Sequence, residues 1–426
     1  MKKLVLSLFL ALMLVGSVYA SCNRHTTQSP DGKGNLLIYP VYFAADGFQS
    51  RVWITNTSDN LSVVYKVVIF SPKYSIEMKD FFVYLSPHDA TYFDLKAVGN
   101  DVTVETDDDS ICNPYDGTQC GSNFTFTPLV KPNCDEDAYG YIVAFPAAAF
   151  NLGTSPVDKK DIVDEYNDYI KGSVTSQNVP YSVFGKLEMY NNQGDFYAVY
   201  DAYSFRIPDA SQPIEVGDKT SFATVNYLDV TDFEAVLAKS RIHLANTEPA
   251  GNMIYIVNFP TKETGQCPSD PDHVMGTGPF FTESANYSTD QYGNFGISYN
   301  YVNYDMKEYT EKGPTCTQSP CGETHVPVFP YEVNFVFDEG FASMGYNYIV
   351  FPQTGGTNNF TDKAGDNVSF DGAPALPLTF IIHANGSYGF VKPAFTHGDV
   401  TCDNGTVMMT YPDGNDFYYG WDYSAQ

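Results

Sequence analysis

Four short stretches of the chain gather hard oxygen ligands at loop spacing: Asp107-Asp108-Asp109, Asp135-Glu136-Asp137, Asp399 with Asp403 and Asn404, and Asp413 with Asn415 and Asp416. Carboxylates and amides crowded into a turn suit calcium, whose charge relieves their mutual repulsion. The candidate ligands are Asp135, Glu136, Asp137, Asp403, Asp413 and Asp416. None of these stretches follows the helix-loop-helix calcium pattern. The competing reading is acidic, solvated loops that keep the chain soluble. No cofactor is required on this reading, and calcium is the one candidate ion.

The second set of chemically able residues is the eight cysteines: Cys22, Cys112, Cys120, Cys134, Cys267, Cys316, Cys321 and Cys402. All but Cys22 lie in stretches rich in Gly, Pro, Asp and Asn, as loop cysteines do. No C-x-x-C pair and no histidine at ligand spacing accompanies them, which turns the reading from zinc to disulfides. Cys112 with Cys120, and Cys316 with Cys321, are the candidates for local bridges, although pairing does not follow from sequence. The seven histidines are scattered. His243 alternates with Ile242 and Leu244 on an expected strand, where a surface or hydrogen-bonded core histidine is the ordinary role. No nucleophile elbow, H-E-x-x-H, phosphate loop or dinucleotide fingerprint occurs. Asn385-Gly-Ser-Tyr-Gly389 reads as a hairpin turn. A glycosidase would need two carboxylates facing each other across a cleft, and 51 acidic residues give composition no means of choosing a pair.

Charge narrows the partners. With 51 acidic against 23 basic residues the formal charge is −28, and only four of the cations are Arg. Nucleic acid and anionic membrane surfaces both demand clustered cations, so the expectation is no nucleic acid partner, and anionic membrane surfaces are disfavoured. The chain is 43% hydrophobic, which excludes an acidic disordered tail. Met1 to Ala20 reads as a secretory signal: Lys2 and Lys3, an apolar run from Leu4 to Val15, then Val18-Tyr19-Ala20 as the cleavage site. Lipid anchoring through Cys22 is the minority alternative to soluble secretion. No second run is long and apolar enough to suggest a membrane span in the mature chain.

The elements that must position these residues read as short strands. Val, Ile, Tyr, Phe and Thr cluster between Gly, Pro, Asn and Asp at Leu36 to Phe43, Arg51 to Asn56, Val63 to Phe70, Phe81 to Leu85 and Thr91 to Leu95. That spacing predicts an all-β protein of two immunoglobulin-like antiparallel β-sandwich domains. Two short helices interrupt it. One spans Ser155 to Lys171, with Ser155 as cap, Pro156 in the first turn and Gly172 as stop; the other runs from Thr231 to about Lys239, with Thr231 and Glu234 at capping-box spacing.

An internal echo suggests duplication. Ser50-Arg-Val-Trp-Ile-Thr-Asn-Thr57 is matched by Ser240-Arg-Ile-His-Leu-Ala-Asn-Thr247, and each precedes a hydrophobic strand ending Phe70-Ser-Pro-Lys73 or Phe259-Pro-Thr-Lys262. A Tyr-Ile-Val-x-Phe-Pro string also recurs at Tyr141 to Pro146 and Tyr255 to Pro260, with a shortened copy at Tyr348 to Pro352. The expected organisation is a signal peptide over 1–20 and a flexible segment over 21–34. A first sandwich then spans 35–230, with its helical insert near 155–171, and a second spans 231–426. The aromatic tail, with Phe417, Tyr418, Tyr419, Trp421 and Tyr423, is expected to be a closing strand or a recognition surface.

Leu36-Leu-Ile-Tyr-Pro-Val-Tyr-Phe43, Asp80-Phe-Phe-Val-Tyr-Leu-Ser-Pro-His-Asp89, Tyr139-Gly-Tyr-Ile142 and Asn258-Phe-Pro-Thr-Lys262 together resemble a family of signal-bearing bacterial β-rich cell-surface or extracellular proteins without an assigned activity. The resemblance covers residues 35 to 265 and implies an extracellular or cell-envelope setting, with no catalytic residues to carry over. The expectation is thus a non-enzymatic secreted or cell-surface structural or adhesion protein that engages protein or surface glycan and can self-associate. The alternative is a secreted carbohydrate-active protein, either a glycan-binding module or a glycoside hydrolase.

Overall fold

A computed structural model describes residues 26–45, 47–73, 75–112, 120–128, 138–153, 156–194, 196–215, 217–222, 224–246 and 253–262. Beyond these it describes 287–289, 295–305, 310–312, 328–329, 331–337, 345–351, 358–361, 367–370, 372–382, 388–391, 395–397, 400–402 and 407–408. The expected signal segment, Cys22 and the aromatic tail lie outside them.

The strands of the first half are β1 (Thr27–Gln28), β2 (Leu36–Phe43), β3 (Phe48–Asn56), β4 (Ser62–Phe70), β5 (Glu77–Leu85), β6 (Ala90–Val98) and β7 (Asp101–Glu105). They continue with β8 (Ile111–Cys112), β9 (Phe124–Phe126), β10 (Tyr139–Phe150), β11 (Val183–Asn191), β12 (Tyr197–Asp201) and β13 (Tyr203–Arg206). They form two antiparallel sheets, β1-β13-β2-β10-β4-β5-β8 and β12-β11-β3-β6-β7-β9, here sheets 1 and 2. The fold is all-β. With seven and six strands the sandwich is larger than the immunoglobulin type. Thr27–Gln28, within the segment expected to be a flexible lead-in, pairs with β13 as an edge strand.

The residue patterns explain which faces are covered. β3 alternates buried and half-exposed positions from Arg51 to Asn56, so one face meets the core and the other meets water. β4 is buried at every position, and its sequence, Ser-Val-Val-Tyr-Lys-Val-Val-Ile-Phe, is apolar apart from Ser62 and Lys66. Sheet 1 must therefore be covered twice. Its inner face packs on sheet 2, where the Phe81 ring meets Phe93 at 5.0 Å and Phe124 at 5.2 Å. The Tyr39 hydroxyl crosses the sandwich to donate to the Trp53 carbonyl at 2.7 Å. Gly185 makes that crossing feasible, since a Cβ there would sit 2.1 Å from the Tyr39 oxygen. The outer face of sheet 1 is covered by helix α1 (Lys159–Ile170), whose Ile162 and Tyr166 pack with Val64, Phe82, Tyr84 and Phe150.

Helix α1 begins four residues after the expected cap. Asp158, in an extended conformation, accepts from the Lys160 amide, and the residue expected to cap, Ser155, lies outside the described residues. Gly172 stops the helix as expected, at φ +72°. Helix α2 (Val230–Leu237) likewise does not use the Thr231–Glu234 box. Asp229 caps it, accepting from the amides of Thr231 at 3.0 Å and Asp232 at 3.3 Å. In both cases an Asp at the turn satisfies the free amides that a nearby Ser or Thr was expected to meet.

The second half begins with β14 (Ala238–Asn246) and β15 (Met253–Asn258). The two echo segments, β3 and β14, each run in the interior of a sheet, and the strands that follow, β4 and β15, run in the interior of a different sheet. The sequence echo thus has a counterpart in topology. β14 pairs with Gly345–Val350, and β15 lies between Val333–Phe337 and Leu376–Ile382. The two faces of β15 serve different cores. Met253, Tyr255 and Val257 pack with Ile242, Ile349 and Phe351, whereas Ile256 joins the core of the first sandwich together with Val333, Leu376 and Leu378. Hydrogen bonds cross the same seam: Tyr203 Oη donates to the Pro377 carbonyl at 2.6 Å, and Asn258 Nδ2 to the Pro40 carbonyl at 3.1 Å. The halves are therefore joined by continuous apolar packing.

Candidate functional site

The water-facing side of sheet 2 carries a ladder of aromatic and charged side chains, set there by the period-two alternation of its strands. The register places Trp53 of β3 between Lys186 of β11 and Tyr92 of β6, and Arg51 between Glu188 and Asp94. Tyr190 lies opposite Gln49 on one side and Tyr197 on the other. Arg51 grips Asp94 through two bonds, Nε to Oδ1 and Nη2 to Oδ2, both 2.7 Å. Its guanidinium lies 4.5 Å from the Tyr92 ring centre and 5.8 Å from that of Tyr190. Lys186 repeats the arrangement, 5.5 Å from the Trp53 ring and 2.5 Å from Glu188 Oε1. The Trp53 and Tyr92 rings are 5.0 Å apart, and Tyr92 donates to Asp107 Oδ1 at 3.0 Å. Phe184 and Tyr197 project at the margin, 38% and 54% exposed.

Electrostatics hold this face in one charge state. The hydrogen bonds to Asp94 push the Arg51 pKa up, and the bond to Glu188 does the same for Lys186. Tyr92 is raised by its bond to Asp107, and Tyr190 is pushed up to about 12 by burial. At neutral pH the ladder presents paired charges and neutral phenols. Such a surface offers broad rigid contact and planar hydrogen bonding, with Trp, Tyr and Arg together as in the energetic centres of protein interfaces.

A second feature is a cavity of about 320 Å³ at the seam between the halves. Six phenylalanines line it (Phe43, Phe48, Phe196, Phe335, Phe380 and Phe390), with Met189, Ile254 and Ile256. All nine residues are apolar, whereas small-molecule sites carry a few convergent polar groups that fix orientation.

The residues singled out from the sequence fall elsewhere. Cys112 and Cys120 are joined by a disulfide, with Cα atoms 4.0 Å apart. Asp135, Glu136, Asp137, Asp403, Asp413, Asp416, Cys316 and Cys321 lie outside the described residues. Asp107 and Asp108 are described but are turned to Tyr92 and to the Ser110 amide. Among the described residues no group of three or more His, Cys, Asp or Glu side chains is arranged to hold a metal ion. His243 sits half-buried on β14, its pKa lowered by burial and by Arg241. From the sequence, Arg51 and Trp53 stood out as part of an expected strand and of the echo, and Trp53 as one of only two Trp for a sugar platform, while Tyr92, Lys186 and Tyr190 were not singled out. The available clue was the alternation of large polar and aromatic residues with apolar ones along three strands.

Comparison with known proteins returned no significant match: no family model, no curated protein and no solved structure corresponds to this chain. Among the described residues, no helix is long and apolar enough to cross a membrane.

Proposed function

We propose that this is a non-enzymatic secreted or cell-surface structural and adhesive protein that engages a protein partner through the open face of sheet 2. The observation that carries the reading is the Arg51–Trp53–Tyr92–Tyr190 cluster, four side chains of interface type held against one another on one face of sheet 2. Rigid anchors lose little entropy on binding, which is what an adhesive surface needs. The continuous core behind that sheet supports it by coupling the contact face to the second half. The secretory-type N-terminus and the disulfide agree with an extracellular setting.

A glycan-binding module or glycoside hydrolase is the second reading, favoured by Trp53 and Tyr92 on a β-sandwich face. Protein stands ahead of glycan because each of those rings already carries a cation, Lys186 or Arg51, over it. Self-association and binding to immobilised glycans, measured with and without calcium for the mature protein and for a Trp53→Ala/Tyr92→Ala double variant, test the proposal. The expected result is concentration-dependent assembly that weakens at least ~10-fold in the variant, as loss of two interface anchors implies. A strictly monomeric protein at high concentration refutes the self-associating form. Polysaccharide turnover abolished by a single Asp or Glu substitution replaces the reading with the hydrolase.

A further inference from the structure

The least expected side chain in the fold is Lys66. It sits mid-strand in β4, opposite Phe82 of β5 and Phe145 of β10, on the face that Asp218 and Thr220 approach. Its side chain is 0% exposed, and that of its ion-pair partner Asp80 is 1% exposed, with Nζ 2.6 Å from Oδ2. Beyond that ammonium the Asp80 carboxylate has no hydrogen-bond partner among the described residues. Lys66 Nζ also donates to the Asp218 carbonyl. Glu77, three residues before Asp80 on β5, completes the group. Its Oε2 accepts from the Thr220 amide at 3.2 Å, and it feels the charges of both Asp80 and Lys66. Two charges withdrawn from bulk solvent are costly, and a simple buried ion pair seldom recovers that cost.

We propose that Lys66 and Asp80 are the two ends of an intramolecular isopeptide bond, formed by condensation of Lys66 Nζ with Asp80 Cγ and promoted by Glu77. In the first step the Lys66 ammonium passes a proton to the Asp80 carboxylate, so that an amine lone pair faces the Cγ of a carboxylic acid. The amine lone pair attacks Cγ and the C–N bond forms. Glu77 gives its proton to the departing carboxyl oxygen and takes one from the nitrogen; the C–O bond breaks and one water leaves. Nothing is oxidised or reduced. Burial, reinforced by the Asp80 charge, pushes the Glu77 carboxyl up to about 7, so it can both give and accept a proton near neutrality. Contact at 2.6 Å in a fixed strand pair supplies the effective concentration that free amine and acid lack in water. The product is uncharged, and its remaining N–H keeps the Asp218 carbonyl as acceptor. The bond would tie β4 to β5 covalently, independently of whether sheet 2 binds a protein.

Tryptic mapping of the reduced, alkylated mature protein decides the matter. The condensed chain yields one branched species in which the peptide of residues 52–73, uncut at Lys66, is joined to that of residues 80–96. Its mass falls short of the summed peptides by one water. Recovery of separate peptides 52–66, 67–73 and 80–96 from the folded wild-type protein overturns the proposal. A Glu77→Gln variant, shown to be folded by circular dichroism, is expected to give the separate peptides. A branched species persisting in that variant overturns the role given to Glu77.

Discussion

Replacing Glu77 by Gln should flatten the dependence of stability on pH between 4.5 and about 7. In the folded chain burial, and after it the Asp80 charge, raise the Glu77 carboxyl from an ordinary 4.5 to about 7, against the lowering pull of Lys66, the Thr220 amide and Lys219. The folded state therefore holds this proton more tightly than the unfolded state. Below the unfolded value both states are protonated and the contribution is fully present; it is lost as pH rises through the folded value. That window corresponds to about 3 kcal/mol, at roughly 1.4 kcal/mol per tenfold change in proton affinity. Gln keeps an oxygen for the Thr220 amide, 3.2 Å away, yet cannot ionise. Urea unfolding at several pH values, followed for both proteins, reads the difference. The variant should gain about 3 kcal/mol relative to wild type on going from the acid to the neutral end. Condensation removes the Asp80 and Lys66 charges, which act on Glu77 in opposite directions, and leaves burial, the largest cause, in place; the slope then reports the titration and a constant offset the missing cross-link. Parallel curves, or a relative gain by the wild type, would refute the burial argument.

Other outcomes follow from the packing. Leu378 is buried in the core shared by the two halves, so Leu378→Ala should cost about 2–5 kcal/mol and lower a single calorimetric transition. A second transition that stays at the wild-type temperature would show that the halves are not coupled. At Gly140 an added Cβ would lie 2.0 Å from the Phe70 carbonyl oxygen, a backbone atom held in the β4–β10 pairing. Gly140→Ala should then cost about 1–3 kcal/mol, and an unchanged melting temperature would contradict the register. Removing the Cys112–Cys120 bridge, which spans a sequence separation of 8, should cost about 2–3 kcal/mol on the loop-entropy model. Urea unfolding of the Cys112→Ser/Cys120→Ser variant measures it.

Much of the β framework was legible in advance, because a strand writes its burial into its own residues. The alternation in β3 and the unbroken apolar run in β4 correspond to one covered face and two. The echo between Ser50–Thr57 and Ser240–Thr247 was visible as residue identity, and the strands carrying it occupy matching interior places. Helix limits were less legible. Ser155 and Thr231 looked like caps, but Asp158 and Asp229 hold those positions, since capping depends on the approach angle of the chain as well as on residue type. The ladder on sheet 2 was legible only as alternation within each strand, because Trp53, Tyr92 and Lys186 lie on three strands far apart in the chain, and their register is a long-range choice.

Lys66 shows where the division falls. Its presence inside Val-Val-Tyr-Lys-Val-Val-Ile-Phe declares an anomaly to anyone reading the sequence, as does Asp80 beside two phenylalanines. Nothing local says that the two charges meet, that Glu77 joins them, or that Asp218 and Thr220 come to lie against them. Hydrophobic periodicity is a property of neighbouring residues, and so the sequence alone determined the class of fold, the covered faces and the acidity. Pairing of charges and rings depends on register between strands and on how sheets stack. Those are long-range choices made by the whole core at once, and only the tertiary structure decided them.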